Sequence, residues 1–376
     1  MKILVFHIIP TLETGGAETM LKNLVLNSTS KKFTHKIITL KRSQFDSLLF
    51  KEKNIEVISL SFDSIISSFQ SFSELLKIVK FNKEAIFQSW MYHANILISL
   101  CSIFSRDINI VWNLRGNLIP QSKFSLTNLF VIFGALFSHV SPKKIVCCAY
   151  SVQETHIKKG YKKSKMQVIT NGYKLSTFEV RKWREKIRNE LDISRKIVIG
   201  VLGRYDKLKD YKNFINAAEI ITKEYKYTNI KFLMIGSNLD NNDYLSGLIN
   251  AKNMTSFFIT VGHKSNPKTY LDAIDIYCSS SLSEGFPNAL CEAMAMEKTC
   301  VVTNAGDSKI ILQGISEVVA VADPIALAES LAKEISMSDV DRKKIGKEMR
   351  SRISEQYAIE KIVKKYESLY EGVMNE

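Results

Sequence analysis

The chain has 376 residues, 45% hydrophobic and 24% charged, the balance of a globular protein long enough for two domains. Only 16 glycines and 6 prolines are present, which excludes a collagen-like or low-complexity chain. The formal net charge of +14 points to an anionic partner: nucleic acid, a lipid surface or a phosphorylated substrate.

Residues 1–10 open with an apolar run that is short for a secretory leader and lacks a small-residue cleavage site. The run leads directly into a glycine turn, so it reads as a first strand. Short β-branched runs then alternate with longer segments of helical period, the pattern of a parallel sheet covered by helices. Strands are expected at 2–7, 35–40, 56–60, 85–88, 108–112, 144–148 and 167–170, with a helix at 17–26 that lines Leu21, Leu24 and Val25 on one face. The apolar stretch 126–140 contains Asn128, Gly134, Ser138 and His139 and falls short of the about 20 residues a spanning helix needs. No transmembrane segment is therefore expected, and the location reads as cytoplasmic, extending to the inner face of the cell membrane.

Asn171-Gly172 forms a turn, and 174–188 is polar without a strand signal. The expected boundaries are 1–178 for a first domain, 179–355 for a second, and 356–376 for a helix crossing back to the first. Strands resume at 195–202, 230–235, 257–261, 274–278 and 300–303, with helices at 211–224 and 285–296 and a helical tail after Asp323-Pro324. The expected fold class is α/β, two Rossmann-like, doubly wound parallel-sheet domains followed by C-terminal helices.

The six cysteines, at 101, 147, 148, 278, 291 and 300, show no C-x-x-C spacing and read as buried free thiols. Charge is uneven: residues 1–180 carry 23 basic and 11 acidic side chains, the remainder 29 and 27. Lys143, Lys144, Lys158, Lys159, Lys162, Lys163 and Lys165 cluster in the first half. A solvated face explains such a run, and so does an anionic surface met by one domain alone. No aromatic-interleaved basic motif is present, so nucleic acid is not expected.

Three stretches hold residues suited to chemistry. Thr14-Gly15-Gly16-Ala17-Glu18 lies between the first strand and first helix, where glycines allow close backbone approach and a helix start attracts phosphate. A plain tight turn explains it equally. Lys41-Arg42 at the end of the second strand, where a nicotinamide-binding unit places an acid, disfavours that cofactor. Gly203-Arg204-Tyr205-Asp206-Lys207-Leu208-Lys209 follows the first strand of the second half, and its Arg204 and Lys209 suit a diphosphate. The third stretch is the most informative: Ser281-Leu282-Ser283-Glu284-Gly285-Phe286-Pro287-Asn288-Ala289-Leu290-Cys291-Glu292. Two carboxylates eight positions apart, one at a turn and one on the following helix, can accept hydrogen bonds from two sugar rings. The intervening N–H groups suit the diphosphate between them.

These residues resemble the retaining nucleotide-sugar glycosyltransferases of family 4, whose GT-B architecture sets two Rossmann domains across a cleft. Glu284 to Glu292 is similar to that family's E-x7-E motif, Gly203-Arg204 with Lys209 to its donor-phosphate loop, and Gly15-Gly16-Ala17-Glu18 to its N-terminal loop. Val168-Ile169-Thr170-Asn171-Gly172 resembles the segment before the linker, and Ile235-Gly236 a turn of the donor domain. The resemblance implies that Glu284 contacts the donor sugar, Glu292 the ribose, and Gly262 the base. It implies that Arg204 and Lys209 stabilise the departing diphosphate, and that Gly285, Phe286, Pro287, Asn288 and Ala289 line the donor site with Gly15, Gly16 and Gly203.

One position departs from the family. Where many members have a histidine before an Ala-Asn pair, this chain has Trp90, with His93 adjacent to Ala94-Asn95. His93 either substitutes as a catalytic group or is a satisfied histidine at a helix start. Trp90, Arg115 and Asn117 are the expected acceptor-side residues. The implied activity is metal-independent, cofactor-free, retaining transfer of a hexose or N-acetylhexosamine from a nucleotide sugar, UDP favoured, to a glycan or polyprenyl-diphosphate-linked acceptor in surface polysaccharide synthesis. A peripheral contact of the basic first domain with anionic membrane accompanies it. Two alternatives stay open: a nucleotide-sugar epimerase on the same architecture, and a non-catalytic partner subunit.

Overall fold

The computed structural model describes residues 2–13, 15–42, 47–117 and 126–376. Among them the chain divides into two compact units, Met1–Gly172 with Tyr357–Glu376, and Tyr173–Gln356.

The first unit runs β1 (Ile3–Ile9), α1 (Gly16–Asn27), β2 (Phe33–Thr39), α2 (Ser47–Lys51), β3 (Glu56–Ser59), α3 (Ile65–Phe81), β4 (Ile86–Trp90), α4 (Met91–Phe104), β5 (Asn109–Leu114), α5 (Leu126–Val140), β6 (Lys144–Cys147), α6 (Tyr150–Lys158) and β7 (Met166–Val168). Its strands form one parallel sheet in the order β3-β2-β1-β4-β5-β6-β7, with Val5 opposite both His35 and Ile86. Every residue of β4 and β5 is buried, as expected of central parallel strands covered on both faces. Strand order reverses between β1 and β4. Right-handed crossovers therefore send α1 to one face and α3, α4 and α5 to the other. On the α1 face Met20, Leu21, Leu24 and Val25 meet Ile362, Tyr366 and Tyr370.

The second unit begins with α7 (Arg184–Glu190) and continues β8 (Ile197–Leu202), α8 (Tyr211–Lys223), β9 (Ile230–Ile235), α9 (Asp243–Ala251), β10 (Phe258–Val261), α10 (Lys268–Ala273), β11 (Ile276–Ser279), α11 (Asn288–Ala295), β12 (Thr299–Thr303), α12 (Ser308–Leu312), β13 (Val318–Val319), α13 (Pro324–Ser336) and α14 (Asp339–Gln356). Its sheet is also parallel, β10-β9-β8-β11-β12-β13, with the reversal between β8 and β11. In open α/β sheets the crevice at the carboxyl ends of the two strands flanking such a reversal is where ligands bind.

The final helix, α15 (Ile359–Asn375), belongs to the first unit. Tyr366 Oη accepts a 2.9 Å hydrogen bond from Asn113, and Tyr370 donates to Gln88, so α15 completes the polar as well as the apolar core. The units divide at Gly172 and Tyr173, not at 178. The physical reason is that the Arg350 guanidinium donates to the carbonyls of Leu175 and Phe178, at 3.3 and 3.2 Å, and ties that segment to the second unit.

The twelve expected strands are all present, with ends displaced by up to two residues, while the two-residue β13 was not anticipated. The expected helix at 285–296 starts only at Asn288, because Gly285 and Phe286 form a bend and Pro287, at φ −75° and ψ 77°, sits in a tight turn closed by a 2.9 Å hydrogen bond from Asn288 N–H to Phe286 O. The helical tail is broken between α13 and α14 and again before α15. All six cysteines are free and buried. Among the described residues no helix is long and apolar enough to cross a membrane.

Candidate functional site

In the second unit the reversal between β8 and β11 brings together the two most informative stretches of the sequence. β8 ends at Leu202, and the chain continues through Gly203 into a short turn that closes on Lys207–Lys209. β11 ends at Ser279 and runs into the loop that carries Glu284. The two loops are stitched together: Leu282 N–H donates to Leu208 O at 2.7 Å, and Ser280 Oγ donates to Lys209 O at 2.8 Å.

Across this seam Lys209 Nζ lies 2.6 Å from Glu284 Oε1, which also accepts a 2.7 Å hydrogen bond from Ser281 Oγ. Glu284 is the more sheltered partner, its side chain 14% exposed against 28% for Lys209. Arg204 stands apart, 75% exposed and 3.5 Å from Asp206. Cation and carboxylate are thus held at the end of the sheet, with a second cation nearby in sequence that remains open to solvent.

Glycines shape the floor of this region. Gly236, at the end of β9, adopts φ +149°, and a Cβ there would overlap the carbonyl of Gly203. Gly306 has φ +59°, and a Cβ would come within 2.7 Å of the Glu284 carbonyl oxygen. Thr303 Oγ1 donates to Ser281 O at 2.6 Å, fixing the same loop from β12. Ser281 lies in the third stretch without a role assigned to it from sequence, and Thr303 and Gly306 were not singled out. Their signal is the polar run after β11 and the Ala305-Gly306-Asp307 turn after β12, read as one pair of adjacent strand ends.

The helix α11 buries Leu290, Cys291, Ala293, Met294 and Ala295 and leaves Asn288, Ala289 and Glu292 on its less covered side. Asn288 Oδ1 accepts a 2.7 Å hydrogen bond from Tyr173 Oη. Desolvation raises the Glu292 carboxyl to about 7, opposed by the positive charge of Lys268. Lys268 itself is held 3.0 Å from Thr177 Oγ1 and 3.9 Å above the Phe178 ring, and burial lowers its ammonium from the usual lysine range. The Phe286 and Pro287 side chains are buried. Gly262 follows β10, and the Asp240 carboxylate occupies the space a side chain would need there.

In the first unit the expected residues are distributed differently. Gly15 caps α1 and Gly16 starts it, with Glu18 in the first helical turn; Thr14 lies outside the described residues. That carboxylate is already placed where the helix dipole favours negative charge. Trp90 requires a correction: it is fully buried at the end of β4, stacked on Tyr366, with its Nε1 donating to His7 Nδ1 at 3.3 Å. A central strand with both faces covered leaves it no surface for an acceptor. His93 is exposed on the first turn of α4, its ring 4.5 Å from that of Phe130, and partial burial with the charge of Lys41 lowers its pKa. Arg115 sits 5.5 Å from the Trp90 ring and donates to Asn171 and, at 3.4 Å, to Asn113; Asn117 follows it, half-buried. Among the described residues no group of three or more His, Cys, Asp or Glu side chains is arranged to hold a metal ion.

Residues 196–336 match the family model of the glycosyl transferases group 1. The chain is 28% identical over 228 residues to the capsular polysaccharide biosynthesis glycosyltransferase CapM of Staphylococcus aureus, a match covering 57% of each protein. It is 23% identical over 259 residues to the UDP-Gal:alpha-D-GlcNAc-diphosphoundecaprenol alpha-1,3-galactosyltransferase of Escherichia coli, covering 66% of this chain and 65% of that protein. The matches thus span a little over half to about two thirds of these relatives' own lengths. Among solved structures, Anabaena HepE in complex with UDP and glucose superimposes with a TM-score of 0.84 over 98% of this chain and all of that one, at 15% identity. That likeness shows the fold, the pair of Rossmann-like domains of GT-B proteins.

Proposed function

We propose that this chain, which contains a group 1 glycosyl transferase region at 196–336, is a retaining glycosyltransferase. It moves a hexose or N-acetylhexosamine from a nucleoside-diphosphate sugar to a glycan or lipid-linked glycan acceptor, in surface polysaccharide synthesis. The observation that carries this reading is the Lys209–Glu284 pair in the loops at the carboxyl ends of β8 and β11, with Arg204 open to solvent on the first of those loops. A UDP donor is supported by the UDP-containing complex on the same fold. A lipid-diphosphate-linked acceptor is supported by the name of the galactosyltransferase relative.

In the proposed reaction the acceptor hydroxyl oxygen attacks the anomeric carbon on the face from which the nucleotide departs. The bond from that carbon to the β-phosphate oxygen breaks, its electron pair stays on the phosphate, and the hydroxyl proton passes to that oxygen. Arg204, Lys209 and the N–H groups at the start of α11 stabilise the charge that develops, which is usually the largest catalytic contribution. Glu284 orients the sugar and holds Lys209 in place. Glu292 receives the ribose hydroxyls, and no metal ion is required.

A thermal-shift screen against UDP, GDP, ADP and their common sugars, followed by transfer to a diphosphate-lipid-linked acceptor, tests the reading. Dose-dependent stabilisation by one nucleotide, and a product whose anomeric configuration matches the donor by NMR, are the expected results. Full activity in Arg204→Ala combined with its abolition by EDTA would overturn the proposed chemistry. Sugar isomerisation without any acceptor would establish the epimerase instead.

A further inference from the structure

Each of β8, β9 and β10 is followed directly by a glycine: Gly203, Gly236 and Gly262. The three strands are neighbours in the sheet, so at about 4.8 Å per strand the glycines make a floor about 10 Å long. The floor begins beneath Lys209, whose Cε would lie 3.2 Å from a Cβ on Gly203, and Gly236 lies against the Gly203 carbonyl. At its far end both carboxylate oxygens of Asp240 would collide with a Cβ on Gly262, so the carboxylate rests on that glycine. On the opposite side of the Lys209–Glu284 pair the space is taken. There Thr303 Oγ1 donates to Ser281 O, and Gly306 lies against the Glu284 carbonyl.

The loop that presents Asp240 is anchored. Leu239 is buried, Tyr205 N–H donates to Ser237 O at 2.8 Å, and Asn242 Nδ2 donates to Asn238 O at 3.2 Å. Ser237 Oγ and His263 Nδ1, 3.1 Å apart, join this loop to the one after β10. The N-terminus of α9 is capped by Asn242, which accepts a 3.0 Å hydrogen bond from Leu245 N–H, so Asp240 is not its cap. Asp240 is exposed, and among the described residues no hydrogen bond or ion pair engages its carboxylate.

We infer that Asp240 selects the base of the donor nucleotide by accepting a hydrogen bond from a protonated ring nitrogen, the group shared by uracil and guanine. This role rests on the nucleotide-sugar reading of Arg204, Lys209 and Glu284. A diphosphate held by the two cations leaves the nucleoside to extend over Gly236 towards Gly262, where the missing side chains allow a flat ligand to approach the backbone. A carboxylate accepts hydrogen bonds and donates none. Uracil and guanine carry N–H at the ring nitrogen of their pairing edge. Cytosine and adenine carry a lone pair at that nitrogen, which a carboxylate repels. A site built around such a hydrogen bond rejects analogues that lack the donor.

Calorimetric titration of the full chain with UDP, GDP, CDP and ADP tests the inference. UDP or GDP is expected to bind at least about tenfold more tightly than CDP and ADP, the scale of one hydrogen bond to a charged group. The tighter of the two identifies the base. Asp240→Asn, whose amide can donate as well as accept, is expected to bring CDP and ADP level with them. Gly262→Ala keeps the aspartate but displaces its carboxylate, and the same loss of selectivity is expected. Both variants are expected to keep the melting temperature of the nucleotide-free protein, since Asp240 is exposed and the group that must move is the end of its side chain. Binding of all four nucleotides without preference would overturn the inference and leave the donor reading intact. So would a preference that both variants retain. Failure of all four to bind would overturn the donor reading, and this role of Asp240 with it.

Discussion

Lys209 and Glu284, from loops that leave two neighbouring strands of the same sheet, form a 2.6 Å ion pair that Ser281 reinforces from the carboxylate side. Pairing within the site does two things at once. It orients the cation before any ligand arrives, and it keeps a sheltered carboxylate from being buried without a partner. Replacing Glu284 by Gln retains the shape and the hydrogen bond to Ser281 but releases Lys209. A loss of turnover of about 100-fold or more is expected, the scale of removing one preorganised contact. Steady-state kinetics of Glu284→Gln, Lys209→Ala and the double variant check it. Strong non-additivity is expected, because the two side chains act as a unit.

Arg204 makes the opposite kind of prediction. Its side chain is 75% exposed and weakly engaged with Asp206, so the fold does not depend on it. Arg204→Ala is expected to leave the melting temperature unchanged and to abolish most of the stabilisation that nucleoside diphosphate confers. Calorimetric titration with UDP, compared between variant and wild type, reads the effect directly.

Glu292 gives a pH dependence whose sign is fixed by burial. Its folded-state pKa is raised from an ordinary glutamate value to about 7, so the native state holds a proton that the unfolded chain releases. The associated stability is fully present below the ordinary glutamate range and is lost as pH rises through about 7. Glu292→Gln keeps the neutral form at all pH. It is expected to match wild type at pH 4 and exceed it at pH 8 by about 2 kcal/mol, allowing for partial solvent screening. Denaturant melts at the two pH values decide the matter. A variant that is equally stable to wild type at both would contradict the assigned direction.

Two glycines separate backbone strain from helix propensity. Gly306 has a positive φ and its missing side chain makes room for the Glu284 carbonyl, so Gly306→Ala is expected to destabilise by about 1–3 kcal/mol and to disturb donor binding. Gly247 lies inside α9, where a Cβ meets nothing within 4 Å. Gly247→Ala is expected to stabilise by about 0.5–1 kcal/mol. Thermal melts of the two variants should therefore move in opposite directions.

Much of this was legible in the sequence for a physical reason. Buried parallel strands are apolar runs of a few residues, and such runs stand out against amphipathic helices, so β1 to β12 were readable to within two residues. β13 was not, because two valines are too few to make a pattern. Glu284, Arg204 and Lys209 were readable because each lies in a loop that leaves a strand, marked by Gly203 in one and by Gly285 and Pro287 in the other. Gly306 was not, since its importance comes from a carbonyl that the fold brings near from another loop. Trp90 shows the converse error. A slot that looks ligand-facing by motif alone lies on a central strand, and the sheet's two-sided cover takes it into the core.

The placement of α15 has a consequence for the order of assembly. Ile359, Ile362, Val363, Tyr366, Leu369 and Tyr370 complete a core whose other members lie between Val5 and Ile169, although the whole of the second unit is translated in between. On the ribosome the second Rossmann half can therefore mature as soon as its own residues emerge. The half that was synthesised first must wait, with its α1 groove unfilled, until α15 has emerged.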